Sequence, residues 1–187
     1  MVRRFGSAAA AVSIFVILAG LLVGCSDGER EAVPELPKRI CWNAFASSDV
    51  SPILPTGEKA TLSAWPFVLT EDYDSVNCVL YIDGNTKFSA SVSLEAFEGV
   101  DWSSFNKANP KPIDVGEKGI LWGAGAAAYF ICEPSEGPNS PGKYIDLQIS
   151  THSVPDKSKL PSVLPKLLRQ LVAFVQRELK CGASAGS

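Results

Sequence analysis

Histidine is nearly absent from this sequence, and its cysteines are few and widely spaced. His152 is the only histidine among 187 residues, and no two cysteines lie two residues apart. The common zinc ligand sets need such cysteine pairs or several histidines, so no metal site is expected. His152 is the sole histidine that could act as a general base, and we interpret it as a surface residue near the end of a strand. We predict no metal and no other cofactor.

Clusters of basic side chains are missing from the body of the chain. Lysine and arginine together number 17 against 20 acidic residues, which leaves a net charge of −3. Proteins that bind nucleic acid need a concentrated positive surface to meet the phosphates. The composition therefore predicts no nucleic-acid partner.

Only one long apolar run occurs, from Ala8 to Gly24, and Ser13 is its single polar residue. Arg3 and Arg4 precede it, and small residues stand at its end. A positive flank followed by an apolar stretch is typical of a secretory signal segment. The run is shorter than the roughly 20 residues that a membrane-spanning helix usually needs.

The end of this run, Leu22-Val23-Gly24-Cys25, resembles the lipobox of bacterial lipoproteins. The resemblance implies that the Cys25 sulfur receives a diacylglyceryl group, that cleavage follows Gly24, and that the mature chain begins at Cys25. A thiolate is the nucleophile suited to this step, and two acyl chains are enough for stable anchoring. The alternative is an uncleaved single-span anchor with an incidental cysteine.

These features divide the chain into three parts. Residues 1–24 form the predicted lipoprotein signal peptide, and residues 25–37 the lipidated cysteine and a flexible tether containing two prolines. Residues 38–187 are long enough for a single domain. The predicted partner of the first two parts is the membrane. The lipid on Cys25 would anchor the protein to the extracytoplasmic face of the cytoplasmic membrane.

Four cysteines remain in the predicted domain: Cys41, Cys78, Cys132 and Cys181. An even number in an exported chain indicates disulfides, and four cysteines allow three connectivities. We favour the pairs Cys41–Cys78 and Cys132–Cys181, because each would join a predicted helix to a predicted strand. The other connectivities stay open.

Alternating apolar residues predict a β-hairpin in the middle of the domain. Val76 to Ile82 and Phe88 to Leu94 each alternate, and Asp83-Gly84-Asn85 separates them as a turn. The segments GILWGAGAAAYFICE and KYIDLQISTH predict three more strands. Between Glu95 and Glu117 no strand is predicted, only a single helical turn capped by Asp101.

Apolar residues at intervals of three and four predict a long C-terminal helix. The residues of this stripe are Leu164, Leu167, Leu168, Leu171, Val172, Val175 and Leu179. A short amphipathic helix is predicted from Ile40, ending at Pro52 and Pro55. The fold class is therefore α+β: an antiparallel sheet with both helices packed on one face.

Four aromatic residues lie in segments that we interpret as loops: Trp65, Tyr73, Trp102 and Phe105. Exposed aromatics on loops often contact a ligand or partner, whereas buried ones close the ends of a core. Both interpretations are open for these four residues. They are the candidate contact residues, and no catalytic residue is assigned.

Beyond the lipobox, the chain resembles small actinobacterial surface lipoproteins of uncharacterised function, with Cys41 near the start of the domain and Cys78 in a strand. The resemblance implies a surface location and disulfides, and it supplies no catalytic residues. We expect a non-enzymatic binding or structural module on the outer side of the cytoplasmic membrane, whose partner is an envelope protein, a glycan or a small molecule. The alternatives are an envelope-acting hydrolase using carboxylates such as Asp72 and Asp74, or a carrier of a lipid or small solute.

Overall fold

The computed structural model describes residues 32–70, 72–95, 101–134, 137 and 142–181. The signal segment, Cys25 and the first part of the predicted tether lie outside these residues, and the predictions for them stay predictions. None of the helices in the described part of the chain is both long and apolar enough to cross a bilayer.

The described residues form two antiparallel sheets and two α-helices, which confirms the α+β class. The small sheet pairs β1 (Arg39–Ile40) with β2 (Phe45–Ala46), and a short helix, α1 (Ser47–Val50), follows. The strands of the large sheet are β3 (Ala60–Ala64), β4 (Ser75–Ile82), β5 (Asn85–Glu95), β6 (Lys111–Pro112), β7 (Lys118–Trp122), β8 (Gly125–Glu133) and β9 (Lys143–Thr151). Their spatial order is β3-β4-β5-β9-β8-β7-β6. The long helix, α2 (Leu160–Glu178), comes last.

The central hairpin has the predicted register and the predicted buried face. Val76 pairs with Val92, Cys78 with Ala90 and Leu80 with Phe88. All six are buried, because residues that alternate along paired strands point to the same side of the sheet. The apolar side of β4 and β5 therefore belongs to the main core.

Helix α2 covers this apolar side, as the stripe predicts. Leu164, Leu167, Leu168 and Leu171 are completely buried. Phe174 is also buried, although the stripe omits it, while Val172 and Leu179 pack only partly against the core at its border. Facing the helix are β8 and β9, with which α2 makes most of its sheet contacts. The main core thus lies between one face of the sheet and α2.

Helix α1 is linked to α2 by a polar cluster. The carboxylate of Asp49 accepts hydrogen bonds from Lys166 Nζ and from Gln170 Nε2, each at 2.6 Å. These two hydrogen bonds lower the pKa of Asp49. The short helix is therefore held beside the long one.

The prediction of a helix starting at Ile40 is wrong: a tight β1–β2 hairpin comes first, and α1 begins only at Ser47. Three successive residues in the connecting turn, Cys41, Trp42 and Asn43, have φ of 49°, 58° and 65°. This left-handed backbone, uncommon for residues other than glycine, reverses the chain and prevents helix formation. Cys41 thus joins a turn, not a helix, to β4.

The remaining departures from the predictions concern short segments. Edge strand β3 was not anticipated, and β6 lies in the segment where no strand was predicted. The predicted tether also contributes to the domain, since Val33 and Leu36 pack against the main core. The backbone N–H of Gly57 donates to the carbonyl of Ala32. The packed part of the chain therefore reaches back at least to residue 32.

Both disulfides have the favoured connectivity. Cys41 bonds to Cys78, and Cys132 bonds to Cys181, with sequence separations of 37 and 49 residues. The first joins the β1–β2 turn to β4. The second fastens the chain just after α2 to β8.

Candidate functional site

An open groove of about 720 Å³ lies at the β3–β4–β5 end of the large sheet. Its floor lies on the face of the sheet opposite to α2. The residues of β4 and β5 that alternate with the buried ones point to this face. The loop that joins β3 to β4 forms its wall. We call it the Trp65 groove.

Four small polar side chains form the floor of the Trp65 groove: Ser75, Asn77, Ser91 and Ser93. Asn77 pairs with Ser91 and Ser75 with Ser93 across the two strands. Side chains directly opposite each other in an antiparallel pair are close neighbours. The floor is therefore a compact patch of three hydroxyl groups and one carboxamide.

Apolar and aromatic side chains form the wall: Trp65, Pro66, Val68 and Tyr73. Trp65 is 72% exposed, Tyr73 69% and Val68 50%. Large apolar side chains this exposed and this close together are unusual on a protein surface and often mark a contact site. The groove thus combines aromatic faces with hydrogen-bonding groups.

The loop that carries the wall is fastened to the body of the domain. Trp42 Nε1 donates a hydrogen bond to the carbonyl of Trp65 at 2.7 Å. The ring of Phe67 packs edge-on against Phe174 of α2, with centroids 5.0 Å apart, and against Trp42. Thr70 and Tyr73 exchange two backbone hydrogen bonds. The loop turns Phe67 toward the core while Trp65 and Tyr73 stay in solvent.

Trp42 owes its position to the left-handed β1–β2 turn. The disulfide between Cys41 and Cys78 holds the turn against β4. Arg39 donates to the carbonyls of Asn43 and Ala44, at 2.7 Å and 3.0 Å, and so satisfies two acceptors of the turn. The strained turn therefore places the indole that fixes the groove loop.

The other half of the same sheet face is covered by a second, smaller core. Trp102 is buried there with Ala127, Tyr129 and Tyr144. Phe105 stacks on Trp122 with ring centroids 4.4 Å apart. Trp102 and Phe105 belong to a segment that includes a 3₁₀ helix, Ser103–Ala108, whose N-cap residue is Trp102 and makes no side-chain cap hydrogen bond. The carboxylate of Asp101, the predicted cap, lies one residue earlier and accepts the N–H of Ser103 at 2.8 Å.

A buried carboxylate separates the groove from the second core. Asp146 of β9 pairs with Ser93 of the groove floor, and its Oδ1 accepts the Trp102 Nε1 hydrogen bond at 3.1 Å. Burial raises the pKa of Asp146, although hydrogen bonds from Gln148 and Trp102 oppose the shift. Burial also raises the pKa of Glu95, and repulsion from Asp146 and Asp74 adds to it.

The structure divides the four candidate aromatics into two pairs. Trp65 and Tyr73 meet at the groove and are open to contact. Trp102 is only 7% exposed, so the interpretation as a core residue applies to it. Phe105, stacked on Trp122, packs against the same small core. The polar floor was not anticipated, and the only sequence signal for it is the serine alternation in SASVS.

The carboxylates and the histidine weighed for catalysis are solvent-exposed. Asp72 and Asp74 lie just before β4, and His152 directly follows β9. Within the described residues, no group of three or more histidine, cysteine, aspartate or glutamate side chains is arranged to hold a metal ion.

Comparisons with protein-family models, with curated proteins and with solved structures find no match to this chain.

Proposed function

We propose that this chain is a lipid-anchored binding protein of the bacterial cell envelope, displayed on the extracytoplasmic face of the cytoplasmic membrane. The observation that carries the binding function is the Trp65 groove, in which Trp65 and Tyr73 stay exposed over an ordered polar floor. The lipobox ending at Cys25 and the two disulfides support the location, because disulfides persist in oxidising compartments. The placement of Cys41 and Cys78 supports kinship with small actinobacterial surface lipoproteins.

Binding is favoured over transport in an internal cavity by the way the main core is filled. Leu167, Leu168 and Leu171 of α2 are completely buried, as are Leu147 and Ile149 of β9. A carrier of the predicted kind would bind its cargo between sheet and helix. The groove lies instead on the opposite face and is open to solvent.

Lipid anchoring is tested by labelling cells with radioactive palmitate. The full chain and a Ser26→Ala variant, which keeps the lipobox, should both incorporate label. Cys25→Ala should incorporate none, since it lacks the thiol that receives the lipid. Equal labelling of Cys25→Ala would contradict the anchor.

Occupancy of the groove is tested by photocross-linking in living cells. p-Benzoylphenylalanine is placed at position 68, on the groove wall, or at position 169, on the exposed side of α2. Irradiation should give an adduct from position 68 that is absent from position 169. Identical patterns from the two positions would contradict the binding function, whatever the chemical class of the adduct.

A further inference from the structure

We propose that the Trp65 groove binds a neutral polysaccharide chain of the envelope, an inference that rests on the binding function proposed above. The first ground is the charge of the lining. Every side chain on floor and wall is uncharged, from Trp65 and Tyr73 to Ser75, Asn77 and Ser91. A phosphorylated or otherwise charged ligand would lose its hydration there without meeting an opposite charge.

The second ground is the division of the groove into an apolar wall and a polar floor. A saccharide ring presents C–H groups on its faces and hydroxyl groups around its edge. Its faces can pack on the rings of Trp65 and Tyr73. Its hydroxyls can exchange hydrogen bonds with Asn77 and the serines, which both donate and accept.

The polar floor also argues against an acyl chain as the occupant. An apolar chain lying on Ser75, Asn77, Ser91 and Ser93 would strip water from four polar groups and return no hydrogen bond. A buried polar group left without a partner loses its hydrogen bonds to water and gains none in return. The hydroxyl groups of a sugar can form hydrogen bonds with these four side chains in place of the water.

The third ground is the spacing of the floor. Opposed residues on neighbouring strands are roughly 5 Å apart, and residues two apart along a strand are roughly 7 Å apart. The rectangle formed by Asn77, Ser91, Ser75 and Ser93 therefore has the scale of one six-membered sugar ring. On β9, Gln148 pairs with Ser91 and continues the polar row.

The fourth ground is that the platform is already ordered. The carbonyl of Trp65 is fixed by Trp42, and Phe67 anchors the loop to α2. Binding to a preorganised surface avoids the entropy cost of ordering a loop. Weak individual contacts with sugar hydroxyls and C–H faces then add up to useful affinity.

The test uses the full lipidated chain in phosphatidylcholine nanodiscs and titrates it with neutral hexasaccharides of glucose, mannose, galactose and N-acetylglucosamine. Calorimetry measures the affinity, and the part of the tryptophan fluorescence change that Trp65→Ala abolishes reports the environment of Trp65, one of four tryptophans in the chain. At least one hexasaccharide should bind and shift the fluorescence. Trp65→Ala and Tyr73→Ala should each weaken binding about tenfold, the size of one lost aromatic contact.

Leu62→Ala is the matched control. Leu62 is an exposed apolar residue of β3, 37% accessible, and it points to the opposite side of that strand from the groove. It should leave the affinity unchanged, and thermal unfolding should show that all three variants are folded.

Two outcomes would overturn the inference: no hexasaccharide binds, or Trp65→Ala binds as tightly as the unmodified chain. If position 68 still forms its adduct in cells in either case, the groove binds another class of ligand and the proposed function survives. If no hexasaccharide binds and position 68 also forms no adduct of its own, the saccharide ligand and the binding function are both wrong.

Discussion

Asp146 combines a charged group with deep burial on the groove side of the sheet. It is 8% exposed and is contacted by Trp102 Nε1 and Gln148 Nε2. Because burial raises its pKa, the folded protein holds a proton on this carboxyl more tightly than the unfolded chain does. The ionised form therefore costs stability at neutral pH, and that cost disappears as the pH falls through the raised pKa.

We predict that Asp146→Asn increases the free energy of unfolding at pH 7. Asparagine keeps an oxygen for the Trp102 hydrogen bond and removes the buried charge. Its NH2 group cannot accept from Gln148 Nε2 as the carboxylate does, but a flip of the Gln148 carboxamide turns its oxygen toward the new donor and restores that hydrogen bond. The advantage over the unmodified chain should shrink as the pH falls, because Asp146 then becomes protonated in the folded state. Denaturant unfolding between pH 4 and pH 8 measures this, and the exposed Asp72→Asn control should change the free energy by less than about 0.5 kcal/mol. A lower stability of Asp146→Asn at pH 7 would contradict the prediction.

At the scale of elements, α2 is the cover of the main core, and its stability comes from that packing. An isolated helix of this length is marginal in water, so its apolar stripe must be buried for it to persist. Pro161 suits the first turn of the helix, since the missing N–H has no partner there in any case. The bond from Cys181 to Cys132 holds the chain at the C-terminal end of the helix.

We predict that Leu171→Ala lowers the free energy of unfolding by about 2–5 kcal/mol, the range for a buried leucine. Leu171 is completely buried near the middle of the stripe. Arg169→Ala, on the exposed side of the same helix, should cost less than about 0.5 kcal/mol. Denaturant unfolding with the disulfides intact compares the two, and similar small losses would show that the stripe is not core.

The elements that could be predicted are those with a long, regular pattern. The alternation from Val76 to Ile82 and the leucine stripe of α2 each repeat often enough to identify a strand and a helix. Strands β1, β2 and β6 have two residues each, too few for any period to appear. The left-handed turn at Trp42 contains no glycine, and of its three residues only Asn43 is of a type that favours this backbone, which does not predict three such residues in succession.

The candidate site was predictable only in part, for a related reason. Trp65 and Trp102 are the same residue type, and both occur in irregular segments. Neither residue type nor local pattern therefore distinguishes them. Their exposures, 72% and 7%, depend on whether a second element folds over the ring. The helical turn after Trp102 returns to β7 and β8, whereas the loop after Trp65 turns Phe67 and Leu69 toward the core and leaves the Trp65 ring uncovered. Such long-range packing leaves no local pattern in the sequence.

At the scale of the whole molecule, the two disulfides close separate loops of the chain. One spans 37 residues near the N-terminal end of the domain, and the other spans 49 residues at its C-terminal end. We predict that the protein, stretched between position 25 and position 187, is longer when its disulfides are reduced. Breaking Cys41–Cys78 should release about 130 Å of chain, and breaking Cys132–Cys181 about 170 Å. Optical-tweezer extension measures this, and equal contour lengths would contradict the two cross-links.

With the proposed anchor and the proposed ligand, the bond between Cys41 and Cys78 would also determine how the domain carries load. A cell-surface polymer held in the groove and a lipid held in the membrane would pull on the protein from opposite directions. Asn77 of the groove floor is the neighbour of Cys78, and Cys41 lies only a few residues beyond the predicted tether. Tension from the membrane side would thus reach β4 through a covalent sulfur–sulfur bond, without passing through the hydrogen bonds of the sheet. Most of the sheet would then lie outside the path of the force, and the contacts in the groove would limit the load that the complex bears.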